Sequence, residues 1–496
     1  MTASNRTKRA ADRYSRRQLL AAGGAAGLCL ATPLRLRAAE KSDVLVLGAG
    51  LSGLYTAMLL EELGYSVTVL EAQDHVGGRV QTRNFGGHLN ELGASDIGVL
   101  YARVLDMARQ LELPVVPSSI RALPFSYHVG GELLNQNEWE ATTVNRSVGD
   151  ERSISPGRLE SHFINSLNPL TELDDWLKPE FRYLDVPLGE YLRAQGVSPA
   201  VVEMIGHTYN GNDIERTSAL AMFRDATRAR LGMDAWRQRR DAGEEIAPLQ
   251  QIEGGIQRLP DSMAAQLQQE VRVNQPAALV EQAGNEVVVT CLDGSRYRAS
   301  RLVCAVPLPA LRNIEFRPGL PAVQREAALN GEYYSTTKFY LRPTSAYWEE
   351  DGFEPSMWSD GPLERIFGLT NADNEVHTLL VWINGLGSRR IDQLGPAGSS
   401  EFVLEQLARL RPASRGKVEV MGQVAWGANP FIGGCGFSYA AGQVTALAEA
   451  LPQPDGLLHF AGEHTRRREY GMESAMASAE RVVQEIAMLD AEAGIA

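Results

Sequence analysis

Few residues in this chain have types and spacing that could do chemistry. Gly48, Gly50 and Gly53 stand at GxGxxG spacing, and Glu71 follows 21 residues after Gly50. That spacing suits a pyrophosphate: the first glycine makes the turn, the second lets the backbone come close, and the third lets a helix pack on a strand. A helix opening at Leu51 and Ser52 would offer free N–H groups and the positive end of its dipole to the phosphates. Glu71, followed by Ala72, could accept hydrogen bonds from a ribose and would repel a 2′-phosphate. Gly77-Gly78-Arg79 ends eight residues past Glu71 and offers backbone donors and a cation to the same pyrophosphate. On these residues alone the dinucleotide is NAD or FAD. Lys338 precedes the apolar run Phe339-Tyr340-Leu341, where an ammonium is costly to bury unless paired or neutralised. The other reading is an outward lysine on an alternating strand. Cys435 follows Gly433-Gly434, which would let the backbone approach a ligand, although most cysteines in such a setting are free buried thiols.

The elements that must hold these residues are a β-α-β unit and its surroundings. Residues 44–47 read as a buried parallel strand. Leu51, Leu54, Tyr55, Met58, Leu59 and Leu63 then recur at helical period, and 67–70 is a second apolar strand ending in Glu71. Helical patterning returns over 162–177 and 188–194, and 224–240 is strongly charged. Trp139, Trp176, Tyr209 and Trp236 could line a pocket, with core packing as the default. Strands are expected at 271–273, 278–281 and 286–290, with a hairpin turn at Gly284-Asn285. Further strands are expected at 301–307, 377–384 and 418–426, a helix at 261–269, and a last helix from Gly471 to about Leu489.

The stretch VLEAQDHVGGR resembles the signature of the flavin amine oxidase family, which includes monoamine oxidases, polyamine oxidases and L-amino-acid oxidases. Asn90-Glu91-Leu92-Gly93-Ala94, with Ser95 after it, looks like the family's turn beside the isoalloxazine. Gly254-Gly255 and Leu259-Pro260 resemble its GGxxxLP segment, and Leu457 to Thr465 its F-A-G-E-x-T strand end at the ribityl chain, with Gly462 and Glu463 in place. The resemblance implies FAD, with the backbone of Ala277 against the adenine and Gly471-Met472 opening a helix toward the flavin pyrimidine, whose dipole would stabilise the anionic reduced ring. It implies that Lys338 holds a water at flavin N5, and that Cys435 can carry the flavin on an 8α-thioether, a bond that needs a thiolate beside the ring. Two departures stand out. Amino-acid oxidases of the family place an arginine soon after the E-L-G-A turn to hold the substrate carboxylate; here the residues are Ser95, Asp96, Ile97 and Gly98. Asp96 would pair with a substrate ammonium or, more ordinarily, cap a helix over 97–108. The aromatic pair that sandwiches the amine in monoamine oxidases falls on Gly436 and Gly471, leaving Tyr470 or Phe437 as substitutes and Tyr439 and Trp426 as wall candidates.

The fold implied is α/β: a doubly wound, Rossmann-like FAD-binding domain built from three chain segments (41–109, 246–312 and 431–490), with an inserted mixed α/β substrate-binding domain (110–245 and 313–430). The chain has 496 residues and a net charge of −13, and its N-terminal 39 residues hold eight Arg or Lys against one Asp. The body that remains is acidic, which argues against nucleic acid or an anionic membrane as partner and mildly favours cationic substrates. Ser15-Arg16-Arg17-Gln18-Leu19-Leu20 resembles a twin-arginine export signal, with Ala38-Ala39 as the cleavage region and an apolar stretch too short for stable membrane insertion. A periplasmic or secreted protein exported folded is expected, and a homodimer is compatible with the sequence. The four cysteines would fall to three once the signal is lost, so disulfides are not the organising device.

The activity implied is FAD-dependent amine oxidation: hydride transfer from the amine α-carbon to flavin N5, hydrolysis of the imine, and reoxidation by oxygen, giving peroxide, or by a periplasmic electron acceptor. The alternatives are an L-amino-acid oxidase, a flavin desaturase acting on a non-amine ring, and a non-catalytic flavoprotein.

Overall fold

Strand Glu40–Leu47 lies one strand in from the edge of the first sheet. The computed structural model describes residues 40–118, 124–371 and 373–492, so the export signal expected at 1–39 lies outside the described residues. Leu45 and Leu47 pack into one core while Val44 and Val46 pack into another. A strand covered on both faces must be apolar at every position, and 44–47 therefore shows no alternation. Val67–Leu70 and Arg296–Cys304 flank it, both parallel. Arg296–Cys304 takes Leu458–Phe460 in parallel along its C-terminal half and Glu286–Cys291 antiparallel along its N-terminal half. Ala277–Ala283 and Glu315–Arg317 complete this mixed seven-stranded sheet. Helix Leu51–Glu62 packs on the sheet and on the last helix, Gly471–Glu492, where the Ser52 and Ser478 hydroxyls meet at 3.0 Å.

The second seven-stranded sheet runs in the order Val418–Ala425, Thr336–Pro343, Val376–Asn384, Arg365–Thr370, Ser356–Ser359, Phe125–Val129, Glu132–Leu134. It is antiparallel except where Ser356–Ser359 joins Phe125–Val129. Phe339 and Leu341 join a core that includes Val403 and Leu407 of helix Gly395–Leu410. Tyr340 points the other way, into a cluster with Leu92 and Trp426. The two-residue period of a strand puts Lys338 on the Tyr340 face, toward the first sheet's loops. Leu220 and Phe223 of the long helix Ala219–Asp241 share a core with Tyr127, Val129 and Trp358 of this sheet.

Three expected elements take another form. Residues 271–273 form only an isolated bridge, Arg272 with Leu70, because the chain merely crosses the end of strand Val67–Leu70 before Asn274 turns it at φ 56°. The helix expected over 162–177 closes after Pro156–Ser166, ahead of Pro169, and only a short 3-10 turn, Asp175–Leu177, follows. The helix expected from Ile97 starts at Ala102, because Ile97–Gly98 pairs with Leu249–Ile252 as a short strand. Asp96 therefore caps no helix.

Candidate active site

One cavity of about 520 Å³ runs from the first glycine turn to the edge of the second sheet. At the nucleotide end Gly48 (φ 100°) leaves no room for a side chain, since a Cβ would sit 3.1 Å from the Ala305 carbonyl. Gly50, Leu51 and Ser52 line the cavity with the open first turn of helix Leu51–Glu62. Gly53 does not line it. A Cβ there would run into the Gly48 carbonyl, so its part is to close helix on turn. Glu71 is buried, and its two carboxylate oxygens accept from Ala49 N at 2.7 Å and Gln73 N at 2.9 Å. Each oxygen keeps a lone pair for a further donor. Burial raises the Glu71 carboxyl above its usual range, and the two backbone donors pull it back. Ala72, Gln275, Ala277 and Leu292 form the far wall at this end.

The Gly77-Gly78 turn lies against the first turn, with Gly77 N donating to Ala49 O at 2.8 Å, and Gly78 lines the cavity. Arg79 also lines the cavity. Its Nη1 donates to Glu463 Oε1 at 2.9 Å and to the Cys435 carbonyl at 3.0 Å. Gly462 and Glu463 line the middle of the cavity, and Glu463 also accepts from Phe437 N at 2.9 Å. The Arg79 and Arg466 guanidiniums hold the Glu463 carboxyl below its usual range against the burial that would raise it.

The opposite end is built from side chains. Gly93, Ala94 and Ser95 line it, and a Cβ at Gly93 would strike the Arg79 carbonyl. Asp96 joins the wall, its oxygens accepting from the Ser95 hydroxyl at 3.0 Å and the Ser118 hydroxyl at 2.6 Å. Lys338 is 2% exposed, so the outward reading is excluded. Its Nζ reaches the Gly93 carbonyl at 3.4 Å and sits 4.1 Å from the centre of the Trp382 ring, which lines the cavity. Burial pushes the Lys338 ammonium down to about 8, against the pull of Cys435, Glu91 and Asp96. Cys435 is a free, half-buried thiol on the cavity wall. Burial raises it above the usual thiol range while Lys338 and Arg79 draw it down.

At the two aromatic-cage positions a side chain on the glycine would press on a tyrosine. A Cβ on Gly436 would meet the Tyr334 hydroxyl, and one on Gly471 would lie 3.2 Å from the Tyr101 hydroxyl. Two tyrosines from other elements occupy that space, and Tyr470, whose hydroxyl meets that of Tyr334, lines the cavity beside them with Phe437 and Met472. Trp426, Tyr439, Trp139 and Trp176 are buried in the cores, Tyr209 lines a separate cavity, and the Trp236 ring N–H donates to Ile246 O at 2.9 Å. Tyr101, Tyr334, Trp382 and Arg466 were not anticipated. The signals were faint: a Tyr-Tyr pair four residues before Lys338, and a run of three arginines directly after Thr465, of which Arg466 is 3% exposed.

A parallel-centred sheet with a glycine turn, a buried acidic residue and a side-chain-lined chamber at the far end of one cavity defines a dinucleotide-dependent oxidoreductase. The chain belongs to the family described as flavin containing amine oxidoreductase, whose model matches residues 51–487. It is 25% identical over 473 residues to an L-amino-acid oxidase of Bothrops moojeni, covering 89% of each chain. To the flavin-dependent L-tryptophan oxidase RebO of Lentzea aerocolonigenes it is 27% identical over 473 residues, covering 89% of this chain and 97% of that one. Among solved structures it is similar in fold to a variant of putrescine oxidase, at 22% identity and TM-score 0.73 over 91% of this chain and 99% of that one. It is likewise similar to cyclohexylamine oxidase from Brevibacterium oxydans, at 22% identity and TM-score 0.70 over 90% and 99%. The family implies FAD, and the residues present fit it: Glu71 keeps acceptor capacity at the ribose end, the helix opening at Leu51 leaves its first N–H groups free, and the glycines supply the close backbone approach. Among the described residues no cluster could hold a metal, and no helix is long and apolar enough to cross a membrane.

Proposed function

We propose that this flavin amine oxidase takes a small amine, bound as its free base, in the chamber walled by Tyr101, Tyr334, Trp382 and Tyr470. The chemistry a bound flavin would supply is a two-electron hydride acceptor for the substrate α-carbon, the resulting imine going to water and the electrons to oxygen or another acceptor. The chain's residues position and desolvate. Gly48 to Ser52, Glu71 and Ala277 would hold the nucleotide, while Gly93, Gly462 and Met472 would lie along the ring and ribityl chain. The apolar tyrosine and tryptophan faces would exclude water and favour the neutral amine. Lys338, already lowered toward neutrality, would hold a water against the Gly93 carbonyl. The observation that carries this reading is the buried Lys338 ammonium against the ring of Trp382, which lines the cavity that begins at the glycine turn. A panel of amines with visible-spectrum bleaching and peroxide readouts tests it. Absorbance of oxidised flavin must disappear with at least one amine, and a protein that no amine or amino acid bleaches sinks the reading.

Cys435 would carry the flavin covalently. Its place on the cavity wall supports this, and Lys338 and Arg79 offset part of the rise that burial imposes on the thiol. Yellow colour pelleting with acid-precipitated protein, and lost to the supernatant in Cys435→Ser, is the expected result. Export through the twin-arginine segment at 1–39 is proposed from the sequence, with Arg16→Lys/Arg17→Lys expected to leave the protein in the cytoplasm.

A further inference from the structure

The cavity beside Tyr209 plays no part in the site described above. It holds about 510 Å³, and Asn384 lines both it and the flavin cavity. Most of its wall is apolar, from Tyr209, Leu386, Ile391, Leu394 and Phe402. Glu364 is the exception: it lines the cavity and is 4% exposed. Its Oε2 accepts from Asn384 N at 3.0 Å, whereas its Oε1 accepts from no group among the described residues. Gly387, also on the wall, leaves that oxygen clear, since a Cβ there would stand 2.5 Å from it. Arg365, next in the chain, gives its Nη2 to Asn210 Oδ1 at 2.7 Å rather than to Glu364. Burial pushes the Glu364 carboxyl up to about 8, against the pull of Asn384 N–H and Arg365.

The backbone of Glu364 is left-handed, at φ 48°, in the turn between strands Ser356–Ser359 and Arg365–Thr370. Glycine takes that conformation more readily. The turn closes through the main chain, with Ser359 N donating to Glu364 O at 2.7 Å and Glu364 N to Gly361 O at 3.1 Å, so its closure does not need the carboxylate. A carboxyl group with one open oxygen in an apolar chamber is complementary to a cation with an apolar body. A metal ion does not fit, because among the described residues no three possible ligands come together. The other charged wall residues, Asp213 and Arg390, are opposite in sign, and His207 turns its Nε2 to Gly361 O at 2.9 Å.

We propose that this second cavity binds a small organic cation, an ammonium or amidinium on an aromatic or branched body, with Glu364 as its counter-ion. The site is distinct from the chamber in which amines are oxidised and does not depend on that reading. Asn384 links the two. Its N–H holds Glu364, while its Oδ1 accepts from Trp382 Nε1 and Thr336 Oγ1, each at 2.9 Å. Occupancy of the cavity is therefore one residue away from the ring that lies against Lys338.

Benzamidine is the probe. It is a cation at neutral pH, and its amidine carbon carries no hydrogen to give to a flavin. Benzamide is its neutral twin. In calorimetric titration of the full, flavin-loaded protein, benzamidine should bind, and Glu364→Gln should weaken it at least about tenfold, as should the change to benzamide. Leu394→Trp, at an exposed wall position, should fill the cavity and block the same binding. Tyr470→Ala, in the flavin chamber, should leave the Kd within about twofold, because it lies outside this cavity. Binding that survives both Glu364→Gln and Leu394→Trp overturns the proposal, as does equal affinity for benzamidine and benzamide, or no measurable binding to wild type. Binding lost in Tyr470→Ala but kept in Glu364→Gln would put the probe in the flavin chamber and overturn it too. None of these outcomes turns on whether an amine bleaches the flavin.

Discussion

The two ends of the cavity are built by different means. At the nucleotide end the wall is backbone: Gly48, Gly50 and the first turn of the following helix, with Glu71 fixed by two main-chain N–H groups. At the other end it is side chains from scattered segments: Asp96 and Tyr101, Tyr334, Trp382 with Lys338 against its ring, then Arg466 and Tyr470. Backbone recognition dictates conformations that only certain residue types adopt, and so it leaves a spacing in the sequence. Side-chain recognition can draw its groups from any element that passes nearby, and it leaves none.

That contrast can be broken, beginning where the effect should be greatest. Gly53→Val puts a branched side chain against the Gly48 carbonyl and Val46, with no flexible neighbour to give way. It should cost about 3 kcal/mol or more and yield little folded, flavin-loaded protein, as judged by the ratio of visible to ultraviolet absorbance and by Tm. Glu71→Gln keeps the shape but turns one acceptor into a donor facing a main-chain N–H. Flavin affinity should fall roughly 100-fold, from loss of a charge-assisted hydrogen bond worth about 1.5–3 kcal/mol, and dialysis against a flavin scavenger measures it. Covalent attachment, if present, is first removed by Cys435→Ser so that the affinity can be read.

At the side-chain end the effects should fall on rates rather than on folding. Lys338→Met should slow flavin reoxidation on the order of 100-fold and leave substrate reduction within threefold, read by stopped-flow with the half-reactions separated. An oxidative half-reaction that does not change would count against a water-holding lysine. The same residue sets a pH dependence of stability. Its folded pKa, about 8, lies below the unfolded value of 10.5, so between these limits the unfolded chain binds more protons. Charged Lys338 is therefore a full burden below pH 8, and that burden is relieved as the pH rises toward 10.5. The stability gained by Lys338→Met should accordingly shrink from pH 8 upward in urea titrations, apart from changes common to both proteins. The smallest effect is expected at Gly436. Gly436→Ala should press on the Tyr334 hydroxyl and lower kcat/KM about tenfold, and Tyr334→Phe in the same chain should recover most of it.

Legibility followed the same division. The β-α-β unit, the hairpin at Gly284 and the last helix could be read from periodicity and turn residues, because each is dictated locally. Asp96 was misread as a cap because its neighbours look helical. The pairing of Ile97–Gly98 with Leu249–Ile252, some 150 residues away, is what delays the helix and leaves the carboxylate on the cavity wall. Arg79 stands out by type and spacing and lines the cavity, but the groups that hold its Nη1, Glu463 and the Cys435 carbonyl, lie more than 350 residues later and no local pattern announces them. Tyr101 and Tyr334 fill the space before Gly471 and Gly436 without any spacing relation to those glycines.

The Arg79 contacts carry a consequence for biosynthesis. Strand Leu458–Phe460 completes the sheet beside Arg296–Cys304, and Glu463 and Cys435 supply the groups that Arg79 grips. A nascent chain still tethered to the ribosome short of these residues holds only an open trough in place of the finished chamber. Tight capture of the prosthetic group must therefore wait until the segment through Glu463 has been made, and a chain cut before Leu457 should emerge colourless, however intact its opening glycine turn.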